Sequence, residues 1–273
     1  MRKSFQVPSG RAMLAGEIVG RGEPIVFLHA RVADRRMWDH QIRTIGATHQ
    51  AIAYDRRGFG ETVARTEDHS SVDDLITVLE SVTDGCPAIL VACSQGGGIA
   101  LDAALRYPSS VRGLALIAPN VAGAPKVTHP ALIEDLVARL AQAESSNDIE
   151  KAIEIRTTLW LDGPLQSAGR VTGEVRKLFY EMNSAALGLT PAGANTDVPI
   201  AYGRLAELSV PTLVMCGNLD LSGIQERSRY LASNVSCGAF YEVSGTAHLP
   251  SLERPQEVTS VIADFIDQCK GRQ

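Results

Sequence analysis

The chain has 273 residues, 45% of them hydrophobic and 21% charged, and 31 acidic side chains against 26 Lys and Arg leave a formal charge of −5. That length suits one large α/β domain, or a core domain carrying a modest insertion, rather than two independent domains. No apolar run approaches the ~18 residues of a membrane helix, and no block of Lys and Arg offers the basic face that nucleic acid requires, so neither a membrane nor a nucleic-acid partner is expected.

The N-terminal MRKSFQVPSGRAM is broken at Pro8 and Gly10 before any apolar run of signal-peptide length develops, so a cytoplasmic location is expected. Short apolar runs bounded by Gly and Pro then recur: PIVFLHA from Pro24, QAIAYD from Gln50, PAILVACS from Pro87, VRGLALIAP from Val111, PTLVMCG from Pro211 and AFYEVSG from Ala239. They are continuously apolar rather than alternating, which predicts strands buried on both faces of a mostly parallel sheet. Helical patterns fall between them. Ser71 and Asp74 read as a capping box ahead of Leu75, Ile76 and Leu79, and further helices are predicted over Gly96–Tyr107, Ile224–Val235 and Pro255–Cys269. Strands alternating with helices give a doubly wound α/β sheet.

From Asn120 to Val210 the rhythm changes. Only helical segments are predicted there, around Leu132 to Leu140, Ile149 to Trp160 and Val175 to Met182. The expected organisation is therefore a core of residues 1–119 and 211–273 with a helical cap at 120–210, a lid over the carboxyl edge of the sheet where ligands bind. Five cysteines (Cys86, Cys93, Cys216, Cys237 and Cys269) have no CxxC spacing and read as free thiols. There is no HExxH and no Cys or His cluster, so neither a metal nor a cofactor is expected.

Within ILVACSQGGGI, Ser94 stands where a buried strand gives way to a helix. The surrounding Ala92-Cys93-Ser94-Gln95-Gly96 is the G-x-S-x-G nucleophile elbow with alanine in the first glycine place. A serine hydroxyl is a weak nucleophile unless a base takes its proton, and a histidine base needs an acid to hold its tautomer. LVMCG runs into Asn218-Leu219-Asp220, and FYEVSG into Thr246-Ala247-His248. Ser94, Asp220 and His248 thus all fall at carboxyl ends of predicted strands and form the candidate catalytic triad. Taken singly, each is more often structural: a turn serine, a loop aspartate, a buttressing histidine.

The chain resembles the α/β-hydrolase superfamily over nearly its full length. FLHA followed by MWDHQ, DRRGFG, ACSQGG, ALRYPSSVRGLALIAP, PTLVMCGNLD and GTAHLPSLERP occur in family order. Among subgroups it looks most like the capped small bacterial esterases and enol-lactonase-like serine hydrolases. The resemblance implies hydrolysis of a small-molecule ester or lactone through an acyl-enzyme on Ser94, with no cofactor. Serine at the elbow disfavours the dehalogenase and epoxide-hydrolase branches, which carry aspartate there. The same triad also supports carbon–carbon bond hydrolysis and cofactor-free perhydrolysis, and a hydrolase-like ligand receptor is the alternative of another class.

The resemblance also places the oxyanion-hole amides at Gln95 and Arg31, the second in a loop reading His29-Ala30-Arg31 where the family has His-Gly. Two readings of the Arg31 side chain are open: it leans into solvent, or its guanidinium enters the pocket and pairs with a substrate carboxylate. Trp38, Trp160, Phe179, Tyr180 and Met182 are candidates for an apolar substrate pocket, although aromatics at helical spacing are more often core. His29 reads as a loop buttress. A homodimer is left open.

Overall fold

The computed structural model describes residues 2–198 and 201–270. Its strands are β1 (Arg2–Ser9), β2 (Ala12–Val19), β3 (Pro24–Leu28), β4 (Gln50–Tyr54), β5 (Val63–Ala64), β6 (Ala88–Cys93), β7 (Val111–Ile117), β8 (Thr212–Gly217) and β9 (Gly238–Val243). They form one sheet in the order β1-β2-β4-β3-β6-β7-β8-β9, with β5 pairing β2. From β4 to β9 all neighbours are parallel, and the β1–β2 and β2–β4 pairs are antiparallel.

In β3 and β6 every residue is buried, and the side chains divide by strand period between the two faces of the sheet. Ile25, Phe27, Ile89, Val91 and Cys93 enter one apolar cluster, while Val26, Leu28, Leu90 and Ala92 enter the other. A central strand needs apolar residues at both parities, which is why these runs do not alternate.

Helices cover both faces: α1 (Asp39–Ile45), α2 (Ser71–Val82), α3 (Gln95–Arg106), α4 (Ala131–Ser145), α5 (Ile149–Arg156), α6 (Gly173–Gly188), α7 (Ser222–Asn234), α8 (Pro250–Glu253) and α9 (Pro255–Lys270). Between β7 and β8 the described residues form no strand. They hold α4, α5, a wide π-helical continuation of α5 over Thr157–Asp162, α6, and a 3-10 turn over Tyr202–Glu207. The last part of this helical insertion is continuous with the core, because Ala201, Leu205 and Leu208 are buried in the cluster that also holds Leu114 and Leu116.

Several expectations change. The hairpin β1–β2 has no counterpart among the predicted strands. Its outer strand is largely exposed and so presents no apolar run, and the turn is made by Gly10 at φ +50°. The cap of α2 is Ser70, not Ser71: its side chain accepts from the Asp73 amide at 3.0 Å. Asp74 does not close a capping box, being buried and ion-paired with Arg57. Strand β9 is not buried on both faces. It pairs only with β8 at the sheet edge, and most of its residues are exposed or half-exposed. Cys93, Cys216 and Cys269 are buried, and Cys86 and Cys237 are exposed. No described helix is long and apolar enough to cross a membrane.

Candidate active site

Ser94 joins β6 to α3 at φ 53° and ψ −114°, a backbone region that a residue with a Cβ rarely adopts. The bend is held on both sides: the Ser94 amide donates to the Ile117 carbonyl at 2.9 Å, and the Ser94 carbonyl accepts from Asn120 at 2.9 Å and Gly98 at 3.2 Å. Gly96 is required by packing. A Cβ there would lie 2.7 Å from the Leu28 carbonyl oxygen and 2.8 Å from that of His29. Ala92, in the first glycine place of the motif, fits its position fully buried.

The ends of β8 and β9 bring the acid and the imidazole together. The Leu219 amide donates to the Thr246 carbonyl at 2.9 Å and the Gly245 amide to Asn218 Oδ1 at 2.8 Å, lacing the two loops side by side. Gly217 permits the approach, since a Cβ on it would sit 2.2 Å from the Ala247 carbonyl oxygen. Within this frame His248 Nδ1 meets Asp220 Oδ2 at 2.7 Å, and both residues are buried. Asp220 Oδ1 accepts from the Leu221 amide at 2.8 Å, so the carboxylate is oriented from two sides. An imidazole held this way carries its proton on Nδ1 and turns Nε2 outward as a base.

Ser94, Gln95, Arg31 and His248 line one cavity of about 360 Å³, with Trp160 and Asn120 among the other wall residues. No Ser94–His248 hydrogen bond is made among the described residues, and in an unliganded site such contacts are often long. The Gln95 amide is the first of α3 and has no acceptor within its helix. Neither it nor the Arg31 amide donates to another described residue, which leaves both available to an oxyanion.

Of the expected pocket residues, Trp160 alone lines the cavity. It sits in the π-helical turn, its ring 4.8 Å from the His248 imidazole, and its carbonyl accepts from the His248 amide at 3.3 Å. Trp38 is fully buried against Phe27, 5.4 Å between ring centroids. Phe179 and Met182 are also core, and they act from behind: Met182 Sδ accepts from the Asp34 amide at 3.4 Å, which pins the loop that follows β3. Tyr180 points to solvent at 48% exposure. Phe179 and Met182 lie on the core side of one helix and Tyr180 on its solvent side, so their shared aromatic or apolar character did not mean a shared cavity wall.

Three further features of the site were not legible in the sequence. Asn183 Nδ2 donates to the Val32 carbonyl at 2.8 Å and so fixes the loop after β3 from α6. Glu253 Oε1 accepts from the Ala247 amide at 2.8 Å, next to His248, and Glu253 is ion-paired to Arg170 of the insertion. Burial pushes the Glu253 carboxyl up.

The third is Arg56, in DRRGFG, which is buried directly behind the loop after β3 and the start of α3. It donates through Nη1 to Gln95 Oε1 at 2.9 Å and through Nη2 to the His29 carbonyl at 3.1 Å. Its backbone amide donates to His29 Nε2 at 3.1 Å, while His29 Nδ1 lies 2.8 Å from the Ala30 carbonyl, so His29 is a neutral brace. Burial, then the Arg56 charge, holds His29 well below the usual histidine range. Among the described residues no carboxylate pairs with Arg56, its Nε has no partner, and burial lowers its pKa to about 10.

Residues 25–261 match the alpha/beta hydrolase family. The chain belongs to that family of hydrolases. An α/β-hydrolase 22% identical over 246 residues is the 3-oxoadipate enol-lactonase 1 of Acinetobacter baylyi, covering 89% of this chain and 88% of that protein. The pimeloyl-[acyl-carrier protein] methyl ester esterase of Edwardsiella ictaluri is 24% identical, over 89% of this chain and 93% of its own. Among solved structures, an esterase from Exiguobacterium antarcticum superposes with a TM-score of 0.79 at 18% identity, over 96% of this chain and 98% of that one.

Proposed function

We propose that this α/β-hydrolase is a serine hydrolase that cleaves a small-molecule carboxylic ester or lactone through an acyl-enzyme on Ser94. The observation that carries the reading is the Asp220–His248 pair at 2.7 Å beside a serine held at φ 53° on the same cavity wall. The enol-lactonase and methyl ester esterase relatives support an acyl–oxygen bond as the target.

His248 Nε2 takes the Ser94 hydroxyl proton as Oγ attacks the carbonyl carbon, and Asp220 stabilises the imidazolium. The oxyanion accepts from the Gln95 and Arg31 amides; loss of one such donor typically costs about 3 kcal/mol. The C–O bond to the alcohol then breaks as His248 returns the proton to that oxygen. Water, deprotonated by the same imidazole, releases the acid and regenerates Ser94. For a lactone, alcohol and acid leave as one hydroxy acid. Trp160, Leu140 and other residues of the helical insertion wall the cavity, which gives the insertion the role of a cap.

The test is labelling by a fluorophosphonate probe. The wild type is expected to label to one equivalent, and Ser94→Ala and His248→Ala to lose labelling, with ester turnover lowered by at least about four orders of magnitude. Folded wild-type protein that neither labels nor turns over any ester or lactone would overturn the reading.

A further inference from the structure

The cavity that Ser94 opens into is charged in an uneven way. Its wall carries three guanidinium groups, Arg31, Arg156 and Arg227, against one carboxylate, Glu144. The carboxylate is already committed. Glu144 Oε1 accepts from Arg156 Nε at 3.1 Å and Nη2 at 2.6 Å, and Arg156 Nη1 donates to Asn183 Oδ1 at 2.9 Å. Arg156, only 5% exposed, is thereby consumed as the link between α4, α5 and α6. The Glu144–Arg156 pair sums to zero and leaves two positive charges on the wall.

Of the other two guanidinium groups, Arg227 has no ion pair among the described residues, and Arg31 has one long pair to the carboxylate that Arg156 already holds. Arg31 Nη2 reaches Glu144 Oε2 only at 3.8 Å, beyond hydrogen-bonding distance, and its side chain is 65% exposed. Arg227 spends one contact on the Pro125 carbonyl, from Nη2 at 2.9 Å, and is in no ion pair. Behind them lies Arg56, buried without a carboxylate and close enough to Arg31 for the two charges to repel. The wall therefore carries an excess of positive formal charge although the chain as a whole carries −5. The rest of the wall, including Val32, Leu140, Trp160 and Ile224, is apolar enough for a short hydrocarbon segment.

We propose that Arg31 and Arg227 form an anion subsite of this cavity, and that the substrate class is an ester or lactone bearing a carboxylate a few carbons from the scissile carbonyl. The proposal rests on the hydrolase reading and adds the substrate's charge. A guanidinium fork binds a carboxylate through two parallel hydrogen bonds, and partial enclosure by the insertion strengthens the pairing over that of a surface ion pair. A neutral acyl chain offers these two guanidinium groups no partner.

The experiment compares 4-nitrophenyl hydrogen glutarate with 4-nitrophenyl valerate, whose acyl chain differs by a carboxylate replaced with a methyl group. The wild type is expected to show a KM at least about ten-fold lower for the glutarate ester, a preference weakened by added salt. Arg31→Leu and Arg227→Leu keep both backbone amides, and each is expected to lower the glutarate-to-valerate ratio of kcat/KM by several-fold, a ratio in which any general loss of activity cancels. In parallel, calorimetry on Ser94→Ala measures binding of monomethyl glutarate against methyl valerate. Equal KM for the two esters, equal binding to Ser94→Ala, or a ratio untouched by both substitutions would overturn the subsite while leaving the serine hydrolase standing. Preferential binding of the anion by Ser94→Ala with no turnover of either ester by wild type would uphold the subsite and count against the hydrolase.

Discussion

Arg56 and the two tryptophans show how much at this site turns on single side chains. A buried guanidinium without a carboxylate is costly, and here it is retained where it holds Gln95 and the His29 carbonyl, the two ends of the proposed oxyanion hole. Arg56→Met is expected to lower kcat by about ten- to a hundred-fold with KM nearly unchanged, and Arg56→Lys to recover part of it. Steady-state kinetics with a boronic acid as transition-state analogue check this; kcat at the wild-type level in Arg56→Met would refute it. Trp38 and Trp160 separate core from wall. Trp38→Ala should destabilise by about 3–5 kcal/mol in denaturant melts with no specific change in KM, since the ring lies in the core against Phe27. Trp160→Ala should do the reverse, changing KM and kcat through the lost contact with His248 while moving the melt far less. Asp220→Asn, which spoils the tautomer of His248 while keeping its position, is expected to cost roughly 10⁴ in kcat.

At the scale of elements, the helical insertion is fastened by carboxylates. Asp162 accepts from the amides of Gly169 at 2.9 Å and Val171 at 3.0 Å and pairs with Arg176, so it closes the loop between the π-helical turn and α6. Burial works against its ionisation, but these donors outweigh it and hold its carboxyl below the ordinary range. Asp197 is depressed in the same way, burial being outweighed by Ser70, the Val72 amide and Arg106. A depressed carboxyl stabilises in full above its unfolded value of about 3.9, and the contribution is lost as pH falls through the folded value. Thermal melts taken as the pH is lowered below about 4 should therefore show a steepening loss of stability. Asp162→Asn should lower the melting temperature at pH 7 and flatten the acid slope; an unchanged slope would remove Asp162 from the account.

Across the whole molecule, the site lies where two parts of the chain meet. The sheet supplies Ser94, Asp220 and His248 from the ends of β6, β8 and β9, the insertion supplies Trp160, Glu144 and Arg156, and Arg31 and Arg227 come from the loop after β3 and from α7. Arg170 joins the parts, donating from Nη1 to the Gly245 carbonyl at 3.0 Å and from Nη2 to the Leu161 carbonyl at 2.7 Å, and pairing with Glu253. Arg170→Ala is expected to lower kcat/KM by about ten-fold with only a small shift in melting temperature, because it loosens the His248 loop without opening the core. A large drop in melting temperature with normal kinetics would mean the tie serves folding alone.

The parallel strands and the order Ser94, Asp220, His248 were legible in the sequence because each is a local signal. A strand buried on both faces must be apolar at both parities, and a tight strand-to-helix turn must carry small residues beside the serine. The exposed β1, the shift of the α2 cap to Ser70 and the edge position of β9 were not legible, since exposure and pairing depend on neighbours far along the chain. The same holds for the wall. Phe179, Tyr180 and Met182 share a helix, but that none of them meets the cavity was decided by how α6 docks on the loop after β3 through Asn183 and Met182. Arg56, Glu144 and Glu253 read as ordinary charges in a solvated composition. Only the tertiary structure buried Arg56 and the Glu253 side chain against particular loops and set Glu144 on the cavity wall, and a charge has its effect through what it faces, which no local pattern encodes.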